Sequence, residues 1–228
     1  MVIALWLLAV LALLAFLYWL IVVGEGTYLG RSAVRLIYQL GACVYDEARR
    51  TVTASDEVVL LPILRASLAE CPVPRVLDVA TGTGRVPLLL ASQPWFDGLV
   101  CAIDLTPAML ERARAKLAAA GLTARVTLRQ GDAGTLPWPD ASFDLVTSLE
   151  ALEFFPRPRR ALAEMARTLR PGGALVISKV PDGWARALPF KGLTRRRMIQ
   201  ALGLFGMDAV AIREWQPGHY ELVIATKL

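Results

Sequence analysis

"VLDVATGTGRV", residues 76–86, decides the fold. An apolar, β-branched run reaches Asp78, and the chain then turns through Thr81, Gly82, Thr83 and Gly84 before apolar residues resume. A strand that closes on a carboxylate and enters a helix through a glycine-rich turn is the opening unit of an α/β sheet. Gly82 and Gly84 lack Cβ, so the backbone can turn tightly and bring its N–H groups close to a ligand. Such a turn is also ordinary strand-to-helix topology. What surrounds it has to decide.

Downstream, strand and helix alternate. Strands read at 75–79, 98–104, 125–130, 143–149 and 174–179, with helices near 84–92, 107–120 and 158–169. That order predicts a parallel sheet covered by helices on both faces. "TRRRMIQALGLFGM" reads as another helix. Two further strands, 209–215 and 220–226, are joined by "QPGH", so the sheet should end in an antiparallel hairpin.

Upstream, "MVIALWLLAVLALLAFLYWLIVV" (residues 1–23) contains no charged residue, glycine or proline. At about 1.5 Å per residue it spans roughly 35 Å, enough for a hydrocarbon core of about 30 Å. A cleavable signal peptide would carry a basic start and an apolar run of about 7–15 residues. A buried core helix would need partners on every face. A retained anchor is therefore expected, with Tyr18 and Trp19 near its end suiting the interfacial aromatic belt. No Lys or Arg precedes the span, whereas Arg31, Arg35, Arg49 and Arg50 follow it. The positive-inside rule then places a single-pass protein with its domain in the cytoplasm.

The expected division is an anchor at 1–23, a flexible joint at 24–30 ("GEGTYLG"), and one domain at 31–228 whose residues 31–72 form a helical cap. In the cap, Val34, Ile37, Tyr38 and Leu40 lie near one helical face that breaks at Gly41. A second cap helix is expected at 56–70, with Ser55 as N-cap and Val59, Leu60, Ile63 and Leu64 inward. Cys43, Cys71 and Cys101 are an odd number without metal-ligand spacing, so they read as small core residues in a reducing compartment and no metal is expected.

Two more carboxylates follow strand ends. Asp104 closes the second strand, 104 − 84 = 20 residues beyond Gly84, where a carboxylate can accept from both hydroxyls of a ribose. Asp132, in "RQGDAGTLPW" after the third strand, can accept from the exocyclic amine of adenine. Taken singly, each Asp is as good a cap or turn former. At three consecutive strand ends they point to a nucleoside lying across the sheet. NAD and S-adenosylmethionine both fit this much. Pro87 stands where the dinucleotide fingerprint wants its third glycine, and no separate substrate domain follows. With the terminal antiparallel pair, the balance moves to S-adenosylmethionine.

"VLDVATGTGRV", "AIDLTPAMLERARAKL", "RQGDAGTLPWPDASFDLVTS" and "ALAEMARTLRPGGALVIS" follow one another in order. On these motifs, from about Tyr38 to its end, the chain resembles the class I S-adenosylmethionine-dependent methyltransferases. Within that class it is similar to the type 11 group and to the branch that includes ubiquinone/menaquinone C-methyltransferases. The resemblance implies a Rossmann-like α/β fold of seven strands, mostly parallel with a terminal antiparallel hairpin, here preceded by one transmembrane helix. It implies that Asp78, Ala80, Thr81, Gly82 and Gly84 line the methionine side of the cofactor and that Asp104 holds the ribose. Leu105 and Met109 would surround the adenine, Asp132 and the Ala133 backbone would meet its edge, and the Leu149 backbone would lie near the methionine amino group. Ala80 departs from the glycine many relatives have, which tightens the loop without blocking it. Phe154 in "EALEFFP" stands where relatives often carry His.

Methyl transfer requires a nucleophile aligned within about 3–3.5 Å of the methyl group. A base is required only if that nucleophile must lose a proton. Glu150 and Glu153, just past the fourth strand, are placed for such a role or for the surface of the next helix, and His219, the only histidine, suits a turn. No catalytic residue is assigned. "VPDGWARALPFKGLTRRR" interleaves Trp184, Leu188 and Phe190 with Arg186, Lys191 and Arg195 to Arg197. That pattern fits an anionic bilayer surface, at about 1 kcal/mol per basic residue, and equally a solvated helix face. The net charge of +5 is compatible with a membrane or with nucleic acid, but no nucleic-acid module is present and that partner is disfavoured. The expected function is methyl transfer to a small, lipophilic, membrane-associated acceptor. The alternatives are a soluble small-molecule acceptor with the anchor serving location, and a non-catalytic S-adenosylmethionine-binding or interaction protein.

Overall fold

The computed structural model describes residues 2–53 and 56–228. The first of these form α1 (Val2–Tyr18), which buries no residue and continues through one wider helical turn, Trp19–Val23, closed by Gly24 N–H on Trp19 O at 2.7 Å. Val2–Ile21 is long and apolar enough to cross a membrane by length and composition.

The segment 24–30 is not the loose joint that its glycines suggest. Thr27 is buried, and its hydroxyl donates to the backbone oxygens of Glu153 (3.3 Å) and Phe154 (3.0 Å). Buried Lys191 donates to Thr27 O at 2.6 Å, and the Tyr28 ring stacks on Trp19 with centroids 5.2 Å apart. Gly26 has φ +67°, and a Cβ there would come within 2.8 Å of Ile37. The glycines let the segment fold tightly against the domain instead of away from it.

Helix α2 (Arg31–Thr53) runs straight through Gly41, where a break was expected. An interior glycine costs only about 1 kcal/mol relative to alanine, which a 23-residue helix packed on the domain absorbs. Val34, Ile37 and Tyr38 are partly buried as anticipated, but Leu40 is 71% exposed. In α3 (Asp56–Ser67) Leu60 and Leu64 are fully buried, Ile63 is partly so, and Val59 turns outward. Ser55 lies outside the described residues. The cysteines are not core residues as expected: Cys43 is exposed on α2, and Cys71 and Cys101 are half-buried.

The sheet comprises β1 (Arg75–Val79), β2 (Leu99–Asp104), β3 (Val126–Gln130), β4 (Phe143–Ser148), β5 (Leu169–Lys179), β6 (Met207–Gln216) and β7 (Tyr220–Lys227). Their order is β3-β2-β1-β4-β5-β7-β6, parallel from β3 to β5, with β7 antiparallel to both neighbours. Between the strands lie α4 (Arg85–Ala91), α5 (Pro107–Ala119), α6 (Pro158–Thr168), a short α7 (Asp182–Ala187) that the sequence did not announce, and α8 (Arg195–Leu204). Alternate residues feed two cores. Leu77, Ile103, Val146 and Ile177 pack with Leu162, Met165 and Met198 on one face; Val76, Val100, Leu145 and Val176 pack with Leu60, Leu64 and Leu90 on the other. Both faces are covered, as a parallel sheet requires.

The chain leaves β1 toward β2 and β3, then returns to place β4 on the other side of β1. Loops after β1 and β4 therefore diverge and leave a crevice at the carboxyl ends of the strands. This crevice positions the site.

Candidate active site

The turn after β1 has three left-handed residues, Ala80 (φ +57°), Gly82 (φ +53°) and Gly84 (φ +84°). For the two glycines that conformation is free of strain, whereas for Ala80 it costs about 1–2 kcal/mol. Gly84 opens α4, and a Cβ there would approach the Ala113 Cβ to 3.1 Å, so this glycine also lets α4 pack closely on α5.

Asp104 fixes the turn to the end of β2. Its carboxylate accepts from Gly82 N–H and from Thr106 N–H, each at 2.8 Å. Burial pushes its pKa up, against those donated bonds. Asp78 is buried at the end of β1, accepts from the Thr147 hydroxyl at 2.6 Å, and is raised to about 6, chiefly by loss of solvent. Asp132 accepts from Gly134 N–H at 2.8 Å and meets Arg31 of α2 at 3.4 Å.

A cleft opens over these strand ends. It gathers seven of the expected cofactor residues: Ala80, Gly82, Asp104, Leu105, Asp132, Ala133 and Leu149. Asp78 and Thr81 line an adjoining cleft that shares Tyr45, Ala80, Leu149 and Glu150 with the first. Gly84 and Met109 line neither, Met109 being buried in α5. The opposite wall is made by Val34, Tyr38 and Tyr45 of α2 with Phe154 and Phe155 after β4. That wall is absent from any local motif, because α2 and the β4 loop meet only in the folded chain.

Neither glutamate after β4 is at the surface. Glu150 is buried with φ +52°; its carboxylate accepts from Arg85 (2.6 Å), Gln216 (2.7 Å) and Arg49. Arg85 in turn holds buried Asp56 through two bonds of 2.5 and 2.6 Å and lies over the Trp215 ring. With its oxygens committed to Arg49, Arg85 and Gln216, Glu150 reads as the keystone of this corner. Glu153 accepts from the Tyr220 hydroxyl, and burial raises it to about 7. His219 is exposed in the β6–β7 turn, as expected of it. Among the described residues no cluster has metal-ligand geometry.

The raised Glu153 has a measurable consequence. Its folded pKa of about 7 lies above the unfolded value of 4.5, so the native state holds a proton that the unfolded chain has already released. Stability is then highest below the unfolded pKa and declines as pH rises toward the folded one; Asp78, raised from 3.8 to about 6, adds a slope of the same sign. Thermal unfolding should show Tm falling between about pH 4 and 7 and levelling off above. Glu153→Gln, which cannot ionise, should flatten that decline. Parallel profiles for the two proteins would remove Glu153 as its source.

An open sheet with this strand order, a glycine-rich turn after β1 and a carboxylate closing β2 defines the Rossmann-like S-adenosylmethionine-dependent methyltransferase fold. A solved SAM-dependent methyltransferase from Aquifex aeolicus superposes with TM-score 0.59 at 22% identity, covering 73% of this chain and 88% of that one. Residues 77–177 match the family described as "Methyltransferase domain", and the chain carries such a domain there. A demethylmenaquinone methyltransferase from Symbiobacterium thermophilum is 38% identical over 119 residues, 52% of this chain and 47% of that protein. A ubiquinone/menaquinone biosynthesis C-methyltransferase from Geobacter sp. (strain M21) is 40% identical over 103 residues, 45% of this chain and 44% of that protein. The chain spans about half the length of the curated relatives it matches. The family implies S-adenosylmethionine as methyl donor.

The residues present fit that group. Asp104 keeps lone pairs beyond its two backbone bonds for hydroxyl donors, Ile103 and Leu105 offer apolar walls for a flat ring, and Arg49 and Lys116 line the adjoining cleft where a carboxylate would sit.

Proposed function

We propose that the protein transfers a methyl group from S-adenosylmethionine to a small lipophilic acceptor, quinone- or lipid-like, dissolved in the membrane. One observation carries this reading: the cleft over the strand ends and the apolar helix Val2–Ile21 belong to one chain, and the base of that helix is fixed to the domain through Trp19 and Tyr28. The quinone methyltransferases among the relatives support the acceptor class.

In this reading residues 1–23 anchor a domain formed by 31–228, with the basic residues after the span holding it on the cytoplasmic side. Asp104 receives the ribose hydroxyls, Leu105 flanks the adenine, and Asp132 with the Ala133 backbone meets its edge, while Met109 supports this wall from within α5. Asp78, Ala80, Thr81, Gly82 and Leu149 surround the methionine part, with Gly84 shaping the turn behind them. Bound S-adenosylmethionine supplies an electrophilic methyl group on a sulfonium. The chain's own contribution is to orient acceptor and donor and to exclude water, using the wall of Val34, Tyr38, Phe154 and Phe155. With Glu150 ion-paired and Glu153 held by Tyr220, alignment outweighs proton abstraction.

The test is transfer of isotopically labelled methyl from S-adenosylmethionine into membrane lipid extract and, separately, into soluble metabolites. Label is expected in the lipid extract. Label confined to the soluble pool would overturn the lipophilic acceptor, and no transfer to either would favour a binding protein.

A further inference from the structure

We propose that the outer face of α2 and the loop carrying Phe190 seat the domain on the bilayer surface beside the anchor, a second membrane contact that rests on the membrane reading above.

The first observation is an unpartnered stripe. Leu36, Leu40 and Val44 of α2 are 58%, 71% and 62% exposed. They succeed one another at i, i+4 and i+8, one inclined row of neighbours on the helix surface. Val34, Tyr38 and Tyr45, which line the clefts, lie on the opposite side of the same helix. The row begins where the joint from α1 ends and fades at Glu47, which is ion-paired to Arg50 at 2.9 Å.

The second observation is independent of α2. Phe190 is 101% exposed and has φ +62°, a conformation that a large side chain rarely holds. The loop is built to present it. Pro189 O accepts from the Tyr28 hydroxyl at 3.3 Å, and Lys191 on the other side donates to Thr27 O at 2.6 Å. Gly192 leaves no slack, since a Cβ there would fall 1.6 Å from Ala185 O. Phe190 is thus pinned to the corner where the apolar helix leaves the domain.

These features select one occupant. An apolar ring and an apolar helical row beside the exit of a membrane-length helix continue its lipid-facing surface, and exposed Arg186, in the stretch before Phe190, supplies a cation. Lys191 is buried on Thr27 and Arg195 is paired with Glu221 at 2.8 Å, so the basic stretch around them contributes less free charge than its composition suggests. Because α2 also forms a cleft wall, seating it on the bilayer brings the site entrance beside the acceptor's solvent.

Hydroxyl-radical footprinting of the full-length chain in phosphatidylcholine/phosphatidylglycerol vesicles tests this without mutation. Leu204 (77% exposed) and Leu99 (53%), at the amino ends of the strands, are the internal controls. Docking predicts severalfold lower oxidation of Leu36, Leu40 and Phe190 than their exposure relative to those controls would give. A chain that floats with the vesicles but oxidises all these residues in proportion to exposure would overturn the docking surface and leave the anchor standing. A chain that does not float would remove the anchor and this proposal together. Protection that vanishes when protein is diluted at constant lipid would assign the face to a second copy and overturn the bilayer contact.

Discussion

Asp104→Asn is expected to weaken S-adenosylmethionine binding by one to two decades while the domain stays folded. Both carboxylate oxygens already accept backbone N–H bonds, from Gly82 and from Thr106, and the ribose hydroxyls would use the remaining lone pairs. An amide offers one acceptor and one donor, so one of those N–H groups would face another donor. Loss of a charge-assisted acceptor costs about 1.5–3 kcal/mol, and each 1.4 kcal/mol is tenfold in affinity. The turn and the ligand can be separated by calorimetry with an analogue that lacks the ribose hydroxyls. If Asp104 touches the ribose, the mutation should cost the analogue much less than the parent ligand. Equal losses for both would reduce Asp104 to a support for the Gly82 turn, and unchanged affinity would remove it from the site.

The parts of this site that were legible in the sequence are those made by neighbours in the chain. β1 is bounded by Pro74 and by the glycine turn, and its observed span, Arg75–Val79, is the one the pattern marks. Asp104 and Asp132 follow strands whose apolar runs end abruptly, so their place over the crevice was readable before any coordinates. The misreadings share a different cause. Gly24 and Gly26 look like slack, but Thr27 is held by Glu153 and Phe154, more than a hundred positions away. Leu40 looks like core because helical periodicity reports a face without naming what covers it. Nothing near Glu150 announces that Arg49 and Arg85 converge on it from two other helices. Left-handed backbone at Ala80 and Glu150 was equally hidden, since neither residue type advertises it.

That hidden corner carries the largest expected loss of stability. Glu150→Ala should lower stability by about 3 kcal/mol or more, the range for removing one partner of a buried ion pair. Two costs combine. Arg49 and Arg85 lose their common counter-ion, although Arg85 keeps Asp56 at 2.5 Å. Gln216 Nε2 loses its 2.7 Å acceptor in a buried setting. The strain of φ +52°, borne by glutamate and alanine alike, does not enter this difference, and only glycine relieves it. For a domain of this size Tm should fall by roughly 10 °C. Glu150→Gly sheds the backbone strain but none of the lost pairing, so it should sit about 1 kcal/mol above Glu150→Ala and still well below the parent. Glu150→Gln retains acceptor and shape without charge, and should fall between the glycine variant and the parent. Thermal unfolding of the three variants reads each cost separately. A glycine variant no better than alanine would deny that the left-handed backbone is strained, and a glutamine variant as stable as the parent would mean that hydrogen bonding, not charge, holds the corner together.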